Sequence, residues 1–293
     1  MELQFGPLTF IPGNNSGKYP YCHSLYIDAT TKVLIDPASN RDRLLDLRNG
    51  AGVDVVWLSH YHEDHFMHLD LFDDKELWIS AADALAITDL DHFFDAYGMT
   101  VEERESWIPI MNETFHFKPR KPTKLFQGKE TIDLGGVIVD VIPTPGHTIG
   151  HCSFFFQQQE VLLLGDYDLT PFGPWYGDVM SDIDATIASI NLLREIPAKT
   201  WIVSHEKGVL DSVSGELWDQ YLHVIDKRDH KLLELLKEPR TIAQIVDARI
   251  VYRKKREPAE FYDYGERALM GKHLKRLINK GIVKQQDEIY TLV

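Results

Sequence analysis

Short apolar runs alternate along the chain with amphipathic stretches, and this alternation predicts strands followed by helices. The strand-like runs are residues 53–58, 137–142, 161–164 and 200–203. Residues 41–49 and 182–195 place apolar side chains at helical spacing. Strands that alternate with helices are typical of the α/β class, in which helices cover the sheets.

Residues 81–90 are predicted to form a further helix, after which residues 91–127 interrupt the alternation. This segment is rich in aromatic residues and has a polar helical face at residues 102–105. Two interpretations remain open. The segment is either a helical pair packed on the sheet or a helical cap that helps to select a substrate.

The pattern becomes helical after Leu210. We predict helices over residues 217–236 and 264–280, and a third helix between them that begins at a Thr241 cap. Two short strands follow. We therefore divide the chain into residues 1–215, which include the 91–127 insertion, and residues 216–293. Three helices and a terminal hairpin resemble a winged helix.

Each of the four strand-like runs is followed by residues of the kind that bind metals. These residues are His60, His62, Asp64, His65, His147, Asp166 and His205. Three of the chain's 13 histidines fall within residues 60–65, where Tyr61 and Glu63 are interpreted as spacers without a chemical role. Neutral imidazole and carboxylate are ligands for zinc, iron or manganese.

These motifs, together with Thr144-Pro-Gly-His147 and Gly165-Asp166, resemble the metallo-β-lactamase superfamily over roughly residues 20–210. The resemblance implies a four-layer αββα sandwich and a site for two metal ions. It assigns the first ion to His60, His62 and His147, the second ion to Asp64, His65 and His205, and the bridging position to Asp166.

The same resemblance implies a metal-dependent hydrolase in which a hydroxide that bridges two divalent ions attacks the substrate. Asp64 and Asp166 are the expected catalytic carboxylates. His151 is expected to orient the loop rather than to bind metal. Zinc is the expected metal, and ligands without a thiolate also suit iron or manganese.

The expected substrate is a small ester, thioester or lactone, because residues 144–151 resemble glyoxalase II and lactonase relatives. An irregular aromatic loop at residues 167–178 follows the bridging carboxylate. An aromatic lining with a few polar groups suits a small-molecule pocket. The residues expected to line it are Tyr167, Asp168, Trp175 and Tyr176.

Two alternatives remain open: a nuclease that cleaves single-stranded nucleic acid, and a ligand-sensing regulator that binds DNA. In either, Arg267, Lys272, Lys275 and Arg276 could contact phosphates, and residues 253–256 form a basic run. The competing interpretation is a structural or dimerising appendage, and we favour it because the body of the protein is acidic.

Charge is unevenly distributed. Residues 229–293 hold 14 Lys and Arg against 10 Asp and Glu, whereas residues 1–228 hold 17 against 35. An acidic body repels nucleic acid phosphates at long range. No run approaches the ~20 apolar residues of a membrane span, and the N-terminal residues do not resemble a secretory signal. We therefore expect a cytoplasmic protein with a small-molecule substrate, which could form a homo-oligomer.

Overall fold

The computed structural model describes residues 1–293, and its first sheet has seven strands in chain order. They are β1 (Leu3–Phe5), β2 (Leu8–Ile11), β3 (Ser24–Ile27), β4 (Val33–Ile35), β5 (Val55–Trp57), β6 (Glu76–Ser80) and β7 (Lys124–Phe126). Strands β1 to β4 pair antiparallel, and β4 to β7 pair parallel. The carboxyl ends of β4 to β7 therefore share one edge of the sheet.

A second sheet contains six strands. They are β8 (Glu130–Asp133), β9 (Ile138–Pro143), β10 (Cys152–Phe156), β11 (Val161–Leu163), β12 (Thr200–Ile202) and β13 (Val209–Leu210). Their spatial order is β13-β12-β11-β10-β9-β8. Only β11 and β12 pair parallel, and this brings their carboxyl ends side by side.

Eight α-helices accompany the sheets. They are α1 (Arg41–Asn49), α2 (Glu63–Phe66), α3 (Leu90–Tyr97), α4 (Val101–Glu113), α5 (Ile183–Arg194), α6 (Gly215–Leu235), α7 (Ile242–Asp247) and α8 (Ala259–Asn279). None of them is both long enough and apolar enough to cross a membrane.

Three apolar cores define the layers of the larger part of the molecule. One lies between the sheets, where Trp57 and Phe126 meet Phe154. A second covers the outer face of the first sheet with α1, α3 and α4. A third covers the outer face of the second sheet with α5 and the start of α6. The predicted four-layer αββα sandwich is confirmed.

The helix predicted over residues 81–90 is wrong in its extent. Residues Ala84–Ile87 form a 3₁₀ turn, and α3 begins only at Leu90. The reason is the cap: Asp89 is extended, and its side chain accepts a hydrogen bond from the backbone N–H of His92. A capping aspartate satisfies a free N–H of the first helical turn and so fixes where the helix starts.

The 91–127 segment has features of both interpretations left open by the sequence. Phe93, Met111 and Phe115 are buried in the core on the first sheet. The same helical pair presents Tyr97 and Trp107 to the cavity described below. The end of the segment is not helical, because residues 124–126 form the edge strand β7.

The C-terminal part adds a three-stranded antiparallel sheet of β14 (Arg240–Thr241), β15 (Val283–Gln286) and β16 (Ile289–Leu292), in the order β14-β16-β15. Helix α8 begins at Ala259, five residues before the predicted start. Helix α6 belongs to two cores: Trp218 packs on the second sheet, and Leu232 packs with α7 and α8. The proposed boundary at residue 215 thus coincides with the start of a shared helix.

Basic side chains of α8 point back into the larger part of the molecule. Arg267 pairs with Glu103 at 2.6 Å, and Arg276 pairs with Asp184 and Asp229. Lys272 donates to the backbone carbonyls of residues 179 and 181. Three of the four cations suggested for phosphate contacts are therefore engaged within the chain, and Lys275 is exposed.

Candidate metal centre

The seven ligand-type residues meet because the strands that precede them end at neighbouring edges of the two sheets. Strand β5 leads into His60, and β11 and β12 lead into Asp166 and His205. His147 follows β9 through a turn that contains Gly146. Helix α2 starts directly after His62 and faces the same space. Loops at strand ends combine a rigid scaffold with accessible side chains.

Three histidines converge on one point. The Nε2 atom of His147 lies 3.1 Å from His60 Nε2 and 3.0 Å from His62 Nδ1. Asp166 Oδ2 approaches the same group, at 3.4 Å from His147 Nε2 and 3.9 Å from His60 Nε2. Three imidazole nitrogens and one carboxylate oxygen around a common point form a donor set that suits zinc.

A second group forms on the other side of Asp166. Its Oδ1 atom lies 2.8 Å from His65 Nε2, and its Oδ2 atom lies 3.4 Å from His205 Nε2. Asp64 Oδ2 is 3.5 Å from His205 Nε2. Asp166 therefore faces both groups, as the bridging role implied by the resemblance requires.

Unsatisfied polar atoms show that the residues fit metal ions. His65 Nε2 and Asp166 Oδ1 are buried and form no hydrogen bond of acceptable geometry. Buried polar atoms without a partner are costly, and the great majority are satisfied. A bound cation would supply the missing partner for both atoms, so the geometry fits a metal centre.

The remaining ring nitrogen of each ligand histidine has its own partner, and this fixes the orientation of the ring. These contacts are His60 Nδ1 with Ser59 Oγ at 2.9 Å, His62 Nε2 with Asp178 Oδ2 at 2.8 Å, His65 Nδ1 with Asp36 Oδ2 at 2.9 Å, His147 Nδ1 with Trp175 O at 3.2 Å and His205 Nδ1 with Gly17 O at 2.7 Å. The five inward nitrogens are left free to bind metal.

Electrostatics keep the Asp166 carboxylate charged. Burial raises the pKa of Asp166, but the four imidazoles around it, His65 first, outweigh burial and hold the pKa well below its usual range. Burial raises the pKa of Asp168 to about 7, because the opposing effect of His205 on this pKa is smaller than that of burial. Asp168 Oδ1 accepts a hydrogen bond from the backbone N–H of His205 at 3.0 Å.

His151 lies next to the ligands and takes no place among them. Its Nε2 atom accepts a hydrogen bond from the backbone N–H of Asp166 at 3.2 Å, and its Nδ1 atom contacts Thr144 Oγ1 at 2.8 Å. Both ring nitrogens are therefore occupied within the chain. This contact ties the 144–151 loop to the residue that faces both groups.

Tyr61 and Glu63 are not mere spacers, contrary to the prediction. The Tyr61 hydroxyl donates to Asp178 Oδ2 at 2.6 Å, the atom that also holds His62. Glu63 accepts hydrogen bonds from Tyr19 at 2.9 Å and from Tyr97 at 2.5 Å. Sequence alone gave no sign of these roles, because the partners are between 34 and 117 residues away.

A cavity of about 480 Å³ opens above the ligands and contacts Asp64, His147, Asp166 and His205. Its aromatic walls come from four distant segments of the chain. They include Tyr19, Tyr97, Trp107, Trp175, Tyr252, Phe261, Tyr262 and Tyr264. Mixed aromatic and polar linings of this size are typical of small-molecule sites.

Of the four residues expected to line this cavity, Asp168 and Trp175 do so. Tyr167 is fully buried beneath it and donates to the carbonyl of Thr144 at 2.9 Å. Tyr176 is fully buried in the C-terminal core and contacts His273 Nε2 at 2.8 Å. Both tyrosines pack the loop, and neither reaches the cavity.

Residues 252–264 supply cavity walls that the sequence did not reveal. Tyr252, Phe261, Tyr262 and Tyr264 are contributed by α8 and the loop before it. Tyr264 donates from its hydroxyl to the backbone carbonyl of Tyr97 at 2.8 Å. The aromatic residues on either side of the basic run were the available signal, and their meaning depended on how α8 packs.

Comparison with known proteins agrees with this geometry. A sequence profile described as the metallo-beta-lactamase superfamily matches residues 20–205. The chain belongs to that superfamily. Two solved structures share the fold: a metallo-beta-lactamase family protein from Thermus thermophilus and a beta-lactamase domain protein from Burkholderia ambifaria. The first has a TM-score of 0.71 at 20% identity and covers 98% of this chain and 99% of its own. The second has a TM-score of 0.70 at 16% identity and covers 100% and 93%.

Similar curated proteins include a probable metallo-hydrolase of Streptococcus pyogenes serotype M6, which is 28% identical over 46% of this chain and 56% of its own length. A hydroxyacylglutathione hydrolase of Hyphomonas neptunium is 34% identical over 27% and 31%. Another, of Bartonella henselae, is 23% identical over 68% and 66%. The chain thus spans between about a third and two thirds of the length of these relatives.

Proposed function

We propose that this protein is a hydrolase with a dinuclear metal centre, most suited to zinc, that acts on a small ester, thioester or lactone. The observation that carries the proposal is the position of Asp166 between two groups of ligand atoms. When bound, the ions activate a water molecule and polarise a substrate oxygen. The names of the metallo-hydrolase and hydroxyacylglutathione hydrolase relatives support hydrolysis of an acyl compound.

In this proposal Asp166, Asp64 and the aromatic walls of the cavity have separate roles. Asp166 stays ionised among the imidazoles and holds the two groups in register. Asp64 faces the cavity and can transfer a proton at its carboxylate. The aromatic walls hold the apolar part of the substrate and exclude water from it, which strengthens the electrostatic interactions inside.

Elemental analysis beside a substrate panel tests this function. The purified protein is expected to hold two metal ions per chain and to hydrolyse ester, thioester or lactone members of the panel. Turnover of single-stranded phosphodiesters alone would favour a nuclease instead. Metal binding without turnover of any member would favour a sensor, although the engagement of α8 within the chain argues against duplex reading by that helix.

Replacement of Asp166, the residue between the two ligand groups, tests the proposal most directly. Asp166→Ala is expected to lower the metal content and to reduce kcat by a factor on the order of 10³ or more, because charge stabilisation at the reacting centre is lost. Asp211→Ala is the matched control, since Asp211 is exposed. Turnover close to that of the wild type by a metal-saturated Asp166→Ala variant would contradict the dinuclear proposal.

A further inference from the structure

A second cavity, of about 330 Å³, lies beside the metal-centre cavity and is lined by five basic side chains. Lys227, Arg228 and Lys231 come from α6, and Arg253 and Arg256 come from the loop before α8. No aspartate or glutamate lines it. Such a concentration of positive charge is unexpected in a chain with a formal net charge of −14.

The five cations are not neutralised within the chain. Neighbouring cations of the same loop do find carboxylates: Lys255 pairs with Asp247 at 3.4 Å, and Arg249 pairs with Asp263. None of the five that line the cavity forms an ion pair. Clustered like charges repel one another, so an anion that enters the cavity relieves this repulsion.

Arg228 is the one buried cation of this cavity, and the other four are exposed to solvent. Only 3% of the residue is exposed. Its Nη1 atom donates to Pro174 O at 3.0 Å and to Tyr176 Oη at 2.8 Å, and its Nη2 atom donates to Phe172 O at 2.8 Å. Neutral acceptors and the rings of Phe172 and Tyr176 hold the guanidinium, but no carboxylate pairs with it. Buried arginines are normally paired.

The two cavities adjoin, because Phe172, Tyr252 and Arg256 line both. A ligand that spans both cavities would place one end at the metal centre and the other among the cations. The Arg253 and Arg256 guanidinium groups, with the Lys227 and Lys231 ammonium groups, match a phosphate. A phosphate carries about −1.5 to −2 charges and accepts bidentate hydrogen bonds. A carboxylate offers a single charge.

We infer that this second cavity binds the phosphate group of the substrate, so that the preferred substrate is a phosphate-bearing ester or thioester. This inference rests on the proposed hydrolase function for the acyl end of that molecule. A small molecule is favoured over a polynucleotide because the surrounding body is acidic and repels an extended chain of phosphates.

The test compares two double variants that each remove two positive charges. Lys227→Gln with Arg253→Gln removes cations of the cavity, and Lys254→Gln with Lys255→Gln removes cations of the loop before α8 that do not line it.

Two thioesters share one acyl group, and their leaving thiol ends either in a hydroxyl or in a phosphate. The cavity variant is expected to raise KM for the phosphate-bearing thioester, relative to the neutral one, by about tenfold or more, because charge-assisted contacts are lost. The control variant is expected to leave this ratio unchanged.

Equilibrium dialysis with inorganic diphosphate separates this inference from the proposed function. Any binding of diphosphate at the metal centre is common to both variants, so a dissociation constant raised only in the cavity variant reports the cavity. If neither thioester is hydrolysed and this difference persists, the anion site stands and the hydrolase proposal fails. If the two variants have equal KM ratios for the two thioesters and bind diphosphate equally, the anion site is overturned. If the cavity variant binds a single-stranded oligonucleotide more weakly, while its KM ratio and its diphosphate binding are unaffected, the small-molecule assignment is overturned.

Discussion

Asp178 determines how one ligand histidine is oriented. Burial raises the pKa of this carboxyl, but His62 and the Tyr61 hydroxyl outweigh burial, and the pKa lies below its usual range. The ionised carboxylate therefore accepts from His62 Nε2 and leaves His62 Nδ1 for the metal. Partners of this kind set the tautomer and the basicity of a ligand histidine.

Asp178→Asn is expected to weaken metal binding by about 10- to 100-fold with the fold retained, since the amide carries no charge to hold the imidazole. Titration against a competing chelator measures this loss. Asp211→Asn, a change of the same chemistry at an exposed position, is the control. Equal affinity in both variants would show that His62 does not depend on Asp178.

His68 is a buried histidine outside the ligand set, and it makes stability depend on pH. Burial, followed by the positive charge of Arg41, lowers its pKa from 6.5 to about 4, and neither ring nitrogen has a hydrogen-bond partner. The unfolded chain therefore takes up the proton first as the pH falls. The free energy of unfolding should decrease between pH 6.5 and pH 4.

His68→Leu removes this titration. The loss of unfolding free energy between pH 7.5 and pH 5 should be smaller than in the wild type by about 1–2 kcal/mol. Urea unfolding at both pH values provides the measurement. An unchanged pH dependence would mean that His68 is already accessible to protons in the folded state.

The sequence reveals those ligand-type residues that follow directly after an apolar strand. Asp36 follows β4 as Asp166 follows β11, so the same rule could have found it, yet its partner His65 lies 29 residues away. Asp178 and Glu63 have no local signal at all. Their roles arise from contacts that exist only after the chain has folded.

At the scale of elements, Gly146 allows the β9 loop to pass close to α5. Its φ is +132°, and a Cβ atom here would lie 2.4 Å from the backbone nitrogen of Thr186. Gly146→Ala is expected to cost roughly 2–4 kcal/mol of stability, from backbone strain and overpacking, and to weaken metal binding by displacing His147. Thermal unfolding and metal titration measure the two effects.

Gly136→Ala is the control for backbone strain alone. Its φ is +106°, and nothing lies within 4 Å of the added atom. The expected loss is about 1–2 kcal/mol, with metal affinity unchanged. If both variants lose the same stability and bind metal equally, the close approach of the loop to α5 does not position the ligand.

Elements with strong local signals were predicted well. The helices at residues 41–49 and 182–195 agree with α1 and α5 to within one residue, because their apolar spacing and their caps agree. The helix predicted over residues 81–90 was wrong because residues 84–87 form only a 3₁₀ turn and the Asp89 cap makes α3 begin at Leu90. Strand β14 has two residues and leaves no periodicity to read.

At the scale of the whole molecule, the C-terminal part completes the cavity above the ligand-type residues. Phe261 packs beside Tyr19 at 5.4 Å and Trp107 at 6.0 Å between ring centroids. Phe261→Ala is expected to raise KM about tenfold, because an apolar contact surface for the substrate is lost. Metal content is expected to remain at two ions per chain.

Leu192→Ala, on the half-exposed face of α5, serves as the control for this loss of apolar surface. An unchanged KM in Phe261→Ala would mean that the substrate does not reach the C-terminal wall. Sequence could not supply this wall, because it depends on the packing of α8 against α4, over 160 residues earlier in the chain.

The sharing of the site between early and late residues bears on the order of events during synthesis. All seven ligand-type residues precede residue 206, whereas the wall formed by residues 252–264 is translated afterwards. Chains fold from the N-terminal side as they are made. On the proposed function, a nascent chain can therefore bind its metal ions while the cavity above them is still open on one side.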